Sequence, residues 1–279
     1  MKLKVLIDNN TLIDRYFIGE PGVCYYIEDG DQKILFDLGY SHAFLENGDK
    51  MGVDFHNLDW IVISHSHLDH TWGMEPLLKR YNETHMEWRA YKRPTLVAHP
   101  DIFLPRSFGG QDEFGMLISS DKVFKYLENG LSKSPVWLSE NLVFLGEIPR
   151  ENDFEAKTSI GHIRVDGVSH DDYSMDDSAL CFKSTEGLVI ITGCSHAGIC
   201  NIIEYAKHIC GDDRIVDVIG GFHLQNPDET QLEGTIRYFE NSGIKAIHAC
   251  HCTDLKSKIA LSKVVTINEV GVGLEIKYV

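Results

Sequence analysis

The segment His65-Ser66-His67-Leu68-Asp69-His70 sets three imidazoles and one carboxylate within six residues, directly after the apolar run Ile61-Val62-Ile63. Neutral imidazole and ionised carboxylate are donors that zinc and other borderline divalent cations prefer. If the apolar run is a strand that continues into the motif, His65 and His67 project to the same side, because side chains alternate along extended backbone. Both can then reach one cation. Asp69 and His70 fall just past the bend, where residues 71–81 take on a helical pattern, and can serve a second cation beside the first. Solvated loop histidines do not need this spacing.

A two-cation centre needs donors from elsewhere in the chain. His196 lies in the turn Gly193-Cys194-Ser195-His196-Ala197-Gly198, after the apolar run 188–192 and ahead of a helical pattern beginning at Ile199. His251 follows the apolar run 244–249 in the same manner. Both are read as metal ligands. His223 stands behind Gly220-Gly221, which let a ligand approach the backbone. It is either a metal or substrate contact or a hydrogen-bonding neighbour that orients a ligand. Cys194 is either a thiolate donor or a small core residue.

Arg106, in a segment rich in aromatics, and Arg150, after Ile148-Pro149, are the cations best placed to meet a phosphate or carboxylate of a substrate. The alternative for each is a surface ion pair. The start of the helix after 193–198 offers unpaired N–H groups to the same anion, unless Ser195 caps it and leaves His196 merely exposed. Cys250 and Cys252 alternate with His248 and His251 and read as strand packing. The chain has no Cys-x-x-Cys pair for a structural zinc site. His99 and His170 are placed to line a site, and the other histidines have no partner at ligand spacing.

These residues must be held by strands and helices. Short β runs are expected at 3–7, 23–28, 33–37, 60–64, 95–99 and 142–145, then at 160–165, 179–184 and 188–192, with a hairpin at Glu186-Gly187. From residue 198 helices alternate with strands at 215–220 and 244–249, and a last helix begins near Asp254. Two face-to-face sheets with helices outside would accommodate this order. The segment 101–140 has weaker periodicity and scattered glycine, proline and aromatic residues; it is either a linker or, as its aromatic content favours, an ordered lid or cap.

The 279 residues carry a formal net charge of −16, and 43% are apolar. A nucleic-acid backbone or an anionic membrane surface is a poor main partner for such a chain. The apolar runs are strand-sized, too short to span a bilayer. Seven cysteines, an odd number, with an acid already at position 8, suit reduced thiols in the cytoplasm. Neither a Gly-x-x-x-x-Gly-Lys-Ser/Thr loop nor a strand-to-helix Gly-x-Gly-x-x-Gly is present.

A strand followed by His-x-His-x-Asp-His resembles the metallo-β-lactamase superfamily. The resemblance implies an α+β fold, an αββα sandwich of two mixed sheets flanked by helices. One domain would cover 1–279, with 101–140 as its lid or cap. Asp37, in Ile34-Leu35-Phe36-Asp37-Leu38-Gly39, sits where the superfamily places a structural aspartate. Gly146-Glu147-Ile148-Pro149-Arg150, Thr192-Gly193-Cys194-Ser195-His196-Ala197-Gly198, Gly220-Gly221-Phe222-His223-Leu224 and His251-Cys252-Thr253-Asp254 are similar to the subgroup of dihydropterin ribofuranosylaminobenzene phosphate synthases. The chain departs from the pattern at Cys194, where members commonly carry a bridging Asp, and at Asp254, where the subgroup commonly has Gly. It also lacks a His commonly found beside Gly22.

The resemblance implies two zinc ions, or manganese or iron in their place, held by His65, His67, Asp69, His70, His196 and His251. A hydroxide bound to the metals, oriented by Asp69, would hydrolyse a small anionic molecule such as a phosphoester. A synthase-type transferase is the second expectation, and a non-catalytic ligand-binding protein that keeps its metal is the third. His67 stands where di-iron oxidoreductases of this fold typically carry Glu, which disfavours that class. A homo-oligomer is left open.

Overall fold

A computed structural model of the chain describes residues 1–110 and 113–279. The first half runs through β1 (Lys2–Ile7), β2 (Cys24–Asp29), β3 (Gln32–Phe36), α1 (Ala43–Lys50), β4 (Trp60–Val62), α2 (Leu68–Thr71), α3 (Met74–Met86), β5 (Thr95–Val97), β6 (Arg106–Ser107), α4 (Ser120–Val123), β7 (Glu128–Asn129) and β8 (Val136–Trp137). The second half holds β9 (Leu142–Phe144), β10 (His162–Val165), β11 (Val168–Asp171), β12 (Ala179–Ser184), β13 (Gly187–Thr192), α5 (Ile199–Cys210), β14 (Ile215–Gly221), α6 (Glu229–Ser242), β15 (Ala246–Cys250), α7 (Leu255–Leu261), β16 (Thr266–Ile267) and β17 (Glu275–Lys277).

Two seven-stranded sheets form, in the orders β17-β1-β2-β3-β4-β5-β7 and β16-β15-β14-β13-β12-β9-β8. Each is antiparallel on one side and parallel on the other, the change falling at β3 in the first sheet and at β13 in the second. The facing surfaces share one core, to which Tyr25, Phe36 and Val62 contribute from the first sheet and Phe144, Val189 and Ile191 from the second. On its other face the first sheet packs Leu35 and Ile61 against Phe44 of α1 and Leu77 of α3. The second packs Ile190 and Val218 against Ile202 of α5 and Phe239 of α6. The result is the expected αββα sandwich. Because β13 is covered on both faces, all of Gly187–Thr192 is buried, which explains a continuous apolar run in place of alternation.

The expected hairpin is present, with β12 and β13 antiparallel across Ser184↔Gly187. Strand β4 stops at Val62, two residues short of the expected end, because Ser64 turns its N–H to the Asp37 carboxylate. The segment 101–140 divides, and residues 111 and 112 lie outside the described part. Strand β7 pairs with β5 and strand β8 with β9, so both extend the main sheets. Strand β6 joins β10 and β11 in a small third sheet beside the metal motif. Among the described residues no helix is long and apolar enough to cross a membrane.

The parallel halves set up the site. Strands β4, β13, β14 and β15 end on the same side, and the residues that follow them are His65, Cys194, His223 and His251. Ligand sites of α/β sheets lie beyond such carboxyl ends.

Candidate metal centre

Five imidazoles and one thiol converge where the two sheets meet. His65 Nε2 lies 3.1 Å from His67 Nδ1 and 3.2 Å from His196 Nε2. A second group adjoins it: Cys194 Sγ is 3.3 Å from His70 Nε2 and 3.1 Å from His251 Nε2, and Asp69 Oδ2 is 3.3 Å from His251 Nε2. Asp69, His70, Cys194 and His251 thus offer one cluster of donor atoms, and His65, Cys194 and His196 another. Cys194 belongs to both.

Ring nitrogens on the far side fix the orientation of three histidines. His70 Nδ1 donates to Asp37 Oδ2 at 2.6 Å. Ser64 Oγ donates to the same carboxylate at 2.7 Å, which leaves it to accept from His65 Nδ1 at 2.9 Å. His251 Nδ1 meets Asn9 Oδ1 at 3.0 Å, and the His251 N–H donates to Asp8 Oδ1 at 3.1 Å. Each arrangement fixes a proton on Nδ1 and turns Nε2 towards the centre. His67 turns Nδ1 inward, whereas His196 presents Nε2 as the other three do; among the described residues the outward nitrogens, His67 Nε2 and His196 Nδ1, are buried without a partner.

Local backbone makes the convergence possible. Asp37, Ser195, His223 and His251 all have φ near +50 to +60°, a region that non-glycine residues enter at a cost. Four such residues around one centre mark backbone bent to aim side chains. Gly193 is required by space: a Cβ there would lie 2.2 Å from Ser64 Oγ and 2.8 Å from Asp37 Oδ2.

The electrostatics suit cations. Burial pushes the His65 and His196 rings far below the ordinary range, helped by the neighbouring imidazoles, and pushes His67 down to about 3. Burial works the same way on His70, but Asp69 and Asp37 outweigh it and hold that ring up at about 9. Burial favours the neutral acid of Asp69, yet His70 and His251 overrule it and lower its pKa. Burial raises the Cys194 thiol, with Cys252 adding to the effect. Neutral lone pairs on His65, His67 and His196, an ionised Asp69, and a His70 ring and Cys194 thiol that each lose a proton on coordination make a donor set that fits one or two zinc-like cations.

The centre floors a cleft of about 620 Å³ lined by His67, Asp69, His196, His223 and His251, with Phe108 and Phe114 on one wall. The Phe114 ring lies 4.6 Å from His67 and 5.4 Å from Phe108. The His223 ring lies 4.3 Å from His196 at a tilt of 55°, its backbone N–H donates to Cys252 Sγ at 3.3 Å, and its Nδ1 is buried without a partner among the described residues. His223 therefore borders the centre without joining either donor group.

Arg106 and Arg150 are both engaged by partners within the fold. Arg106 is 2% exposed and bound to Asp172 at 2.8 Å and Asp176 at 2.9 Å. Arg150 donates to Ser174 O at 2.8 Å, and neither arginine lines the cleft. The carboxylates that claim Arg106 lie far away in sequence. The helix start after His196 is likewise spoken for: Glu155 accepts the N–H groups of Cys200 and Asn201. Ser195 does not cap it but donates to Gly221 O at 2.6 Å, tying the loop after β13 to the end of β14. His99 bonds Glu147 at 3.0 Å and His170 sits on β11, so neither lines the cleft. Asp8 and Asn9, which support His251, carry no motif that sequence reasoning could have found.

Residues 18–206 match the metallo-β-lactamase superfamily, and the chain belongs to it. A relative in the archaeon Methanocaldococcus jannaschii, 7,8-dihydropterin-6-methyl-4-(β-D-ribofuranosyl)-aminobenzene-5'-phosphate synthase, is 31% identical over 272 residues, covering 92% of this chain and 89% of that protein. An uncharacterised protein of the same organism is 28% identical over 265 residues, 94% of each chain. The crystal structure of a metal-dependent hydrolase of the β-lactamase superfamily matches with a TM-score of 0.83 and 25% identity, covering 99% of this chain and 98% of that one.

Proposed function

We propose that this protein is a metal-dependent hydrolase of a small anionic molecule, with a phosphoester as the substrate class. The observation that carries the reading is the pair of donor clusters sharing Cys194 at the floor of the cleft. Two zinc-like cations there would supply Lewis acidity and lower the pKa of water towards neutrality. His65, His67 and His196 would hold one, and Asp69, His70 and His251 the other, with Cys194 within reach of both. Asp69, kept ionised at the cleft floor, is the candidate for orienting the attacking water. No lysine or arginine lines the cleft among the described residues, so an anionic substrate would find its positive charge at the metal centre. Phe108 and Phe114 would hold the apolar part of the substrate.

A second reading is a transferase of the synthase type, favoured by the 31% identical relative and by an aromatic wall suited to stacking on a pterin. Metal analysis of purified protein, followed by turnover assays on phosphodiesters, phosphomonoesters, lactones and β-lactams, tests the first reading. Fewer than one transition metal per chain, unchanged by His67→Ala, would overturn it. Incubation with a dihydropterin diphosphate and the ribofuranosylaminobenzene phosphate separates the two. Diphosphate released only when both are present supports the synthase, whereas ester hydrolysis without coupling supports the hydrolase.

A further inference from the structure

His67 and His196 are the two imidazoles of the centre whose outer ring nitrogens have no partner among the described residues. Their rings are nonetheless buried at 3% and 6% exposure and aimed at His65. Something other than a ring hydrogen bond must hold them. Two adjacent carboxylates do this through the main chain. Asp176 Oδ2 accepts the N–H of Ser66, the residue before His67, at 2.9 Å. Asp177 Oδ2 accepts the N–H of Ala197, the residue after His196, at 2.8 Å.

The second oxygens add to the case. Asp176 Oδ1 meets Arg106 Nη2 at 2.9 Å, and Arg106 Nε is clamped in turn by Asp172, so Asp176 is fixed from behind. Asp177 Oδ1 lies 3.9 Å from His65 Nδ1 and has no hydrogen-bond partner among the described residues. A 1% exposed carboxylate oxygen without a partner is costly unless a nearby positive charge compensates it. His65, His67 and His196 bring no negative charge of their own, so a cation among them would supply that compensation.

We propose that Asp176 and Asp177 together form the positioning device of the three-histidine cation site, gripping the peptides beside His67 and His196 in place of hydrogen bonds to their rings. The second site does not depend on them, because His70 and His251 are supported by Asp37 and by Asn9 with Asp8. This rests on the two-cation reading given above.

The test uses cobalt-loaded full-length protein, with metal content and chelator competition read alongside the near-ultraviolet thiolate-to-cobalt band that Cys194 contributes. Asp177→Ala should bind the cation at the three-histidine site about 10- to 100-fold more weakly, while the thiolate band and one tightly held cobalt remain. Asp177→Asn keeps an oxygen for the Ala197 N–H and should recover most of that affinity. Should Asp177→Ala fail to fold, Asp176→Ala, which removes the acceptor of the Ser66 N–H, is expected to lower the same affinity. Two cobalt ions held as tightly in the folded variants as in the wild type would overturn the proposal alone. Wild-type protein that takes up no cobalt would overturn the metal centre and this proposal with it.

Discussion

Asp37 Oδ2 accepts the Nδ1 proton of His70 at 2.6 Å. The same carboxylate accepts the N–H and hydroxyl of Ser64, both at 2.7 Å, so it orients His70 directly and His65 through Ser64. Asp37→Ala would strand three buried donors at about 1–3 kcal/mol each. Asp37→Asn tolerates the positive φ but removes the charge, and should fold while holding the cation of His70 about 10- to 100-fold more weakly. Chelator competition on both variants, with thermal unfolding, checks this. An Asn variant that binds metal like the wild type would contradict it.

Cys194 has donors of both clusters within reach, so Cys194→Ala should weaken both cations, whereas His251→Ala should weaken only one. Titration of metal-free protein with zinc, followed by calorimetry, distinguishes these outcomes. Equal effects of the two substitutions would remove the case for a shared thiolate.

The metal-free protein should have a dome-shaped pH profile of stability. His67, held at about 3, and the similarly depressed His65 and His196 stay neutral in the fold but protonate near 6.5 when unfolded. Their contribution is complete above about pH 6.5 and is lost as pH falls towards the folded values. His70 runs oppositely: raised to about 9 against the pull of burial, it contributes fully below about pH 6.5 and stops doing so as pH rises through 9. Melting temperatures after chelation should therefore drop on both sides of neutrality, more steeply on the acid side, where three rings act together. A flat profile between about pH 7 and 4.5 would count against it.

Gly193→Ala would push a methyl group into Ser64 Oγ and the Asp37 carboxylate, both of which are held by other bonds and cannot retreat. Loss of metal binding together with a fall in melting temperature is the expected outcome. Wild-type metal content in this variant would show that the loop after β13 is looser than described.

Phe114 lies against His67 at the cleft wall, its ring tilted 53° to the imidazole. Phe114→Ala should raise KM about 3- to 10-fold, the equivalent of one lost aromatic contact, with little change in metal content. A fall in kcat at unchanged KM would move Phe114 from binding to the reaction step.

The metal motif was legible because its first four donors lie within six residues and its distal histidines each follow an apolar strand. The αββα architecture followed from the rhythm of strands, and from the motif's resemblance to a known family. Partners distant in sequence were not legible. Arg106 looked free because the carboxylates that neutralise it, Asp172 and Asp176, stand some seventy residues on. Asp8 and Asn9 support His251 across almost the full chain, and nothing near them marks that role. Asp254, a departure from the subgroup pattern, proves to cap α7 by accepting the N–H of Ser257 at 2.7 Å.

The donors come from both sheets, His65 to His70 from the first and Cys194, His196 and His251 from the second. A cation shared by His65 and His196 would close a loop of 131 residues, and one shared by His70 and His251 would close 181. Closures of such length act chiefly on the unfolded chain, whose freedom they restrict as a disulfide would, by about 4–5 kcal/mol in the chain-entropy account. The seven cysteines are all free thiols. Metal would thus give this chain the long-range covalent-like staple that its cysteines do not provide.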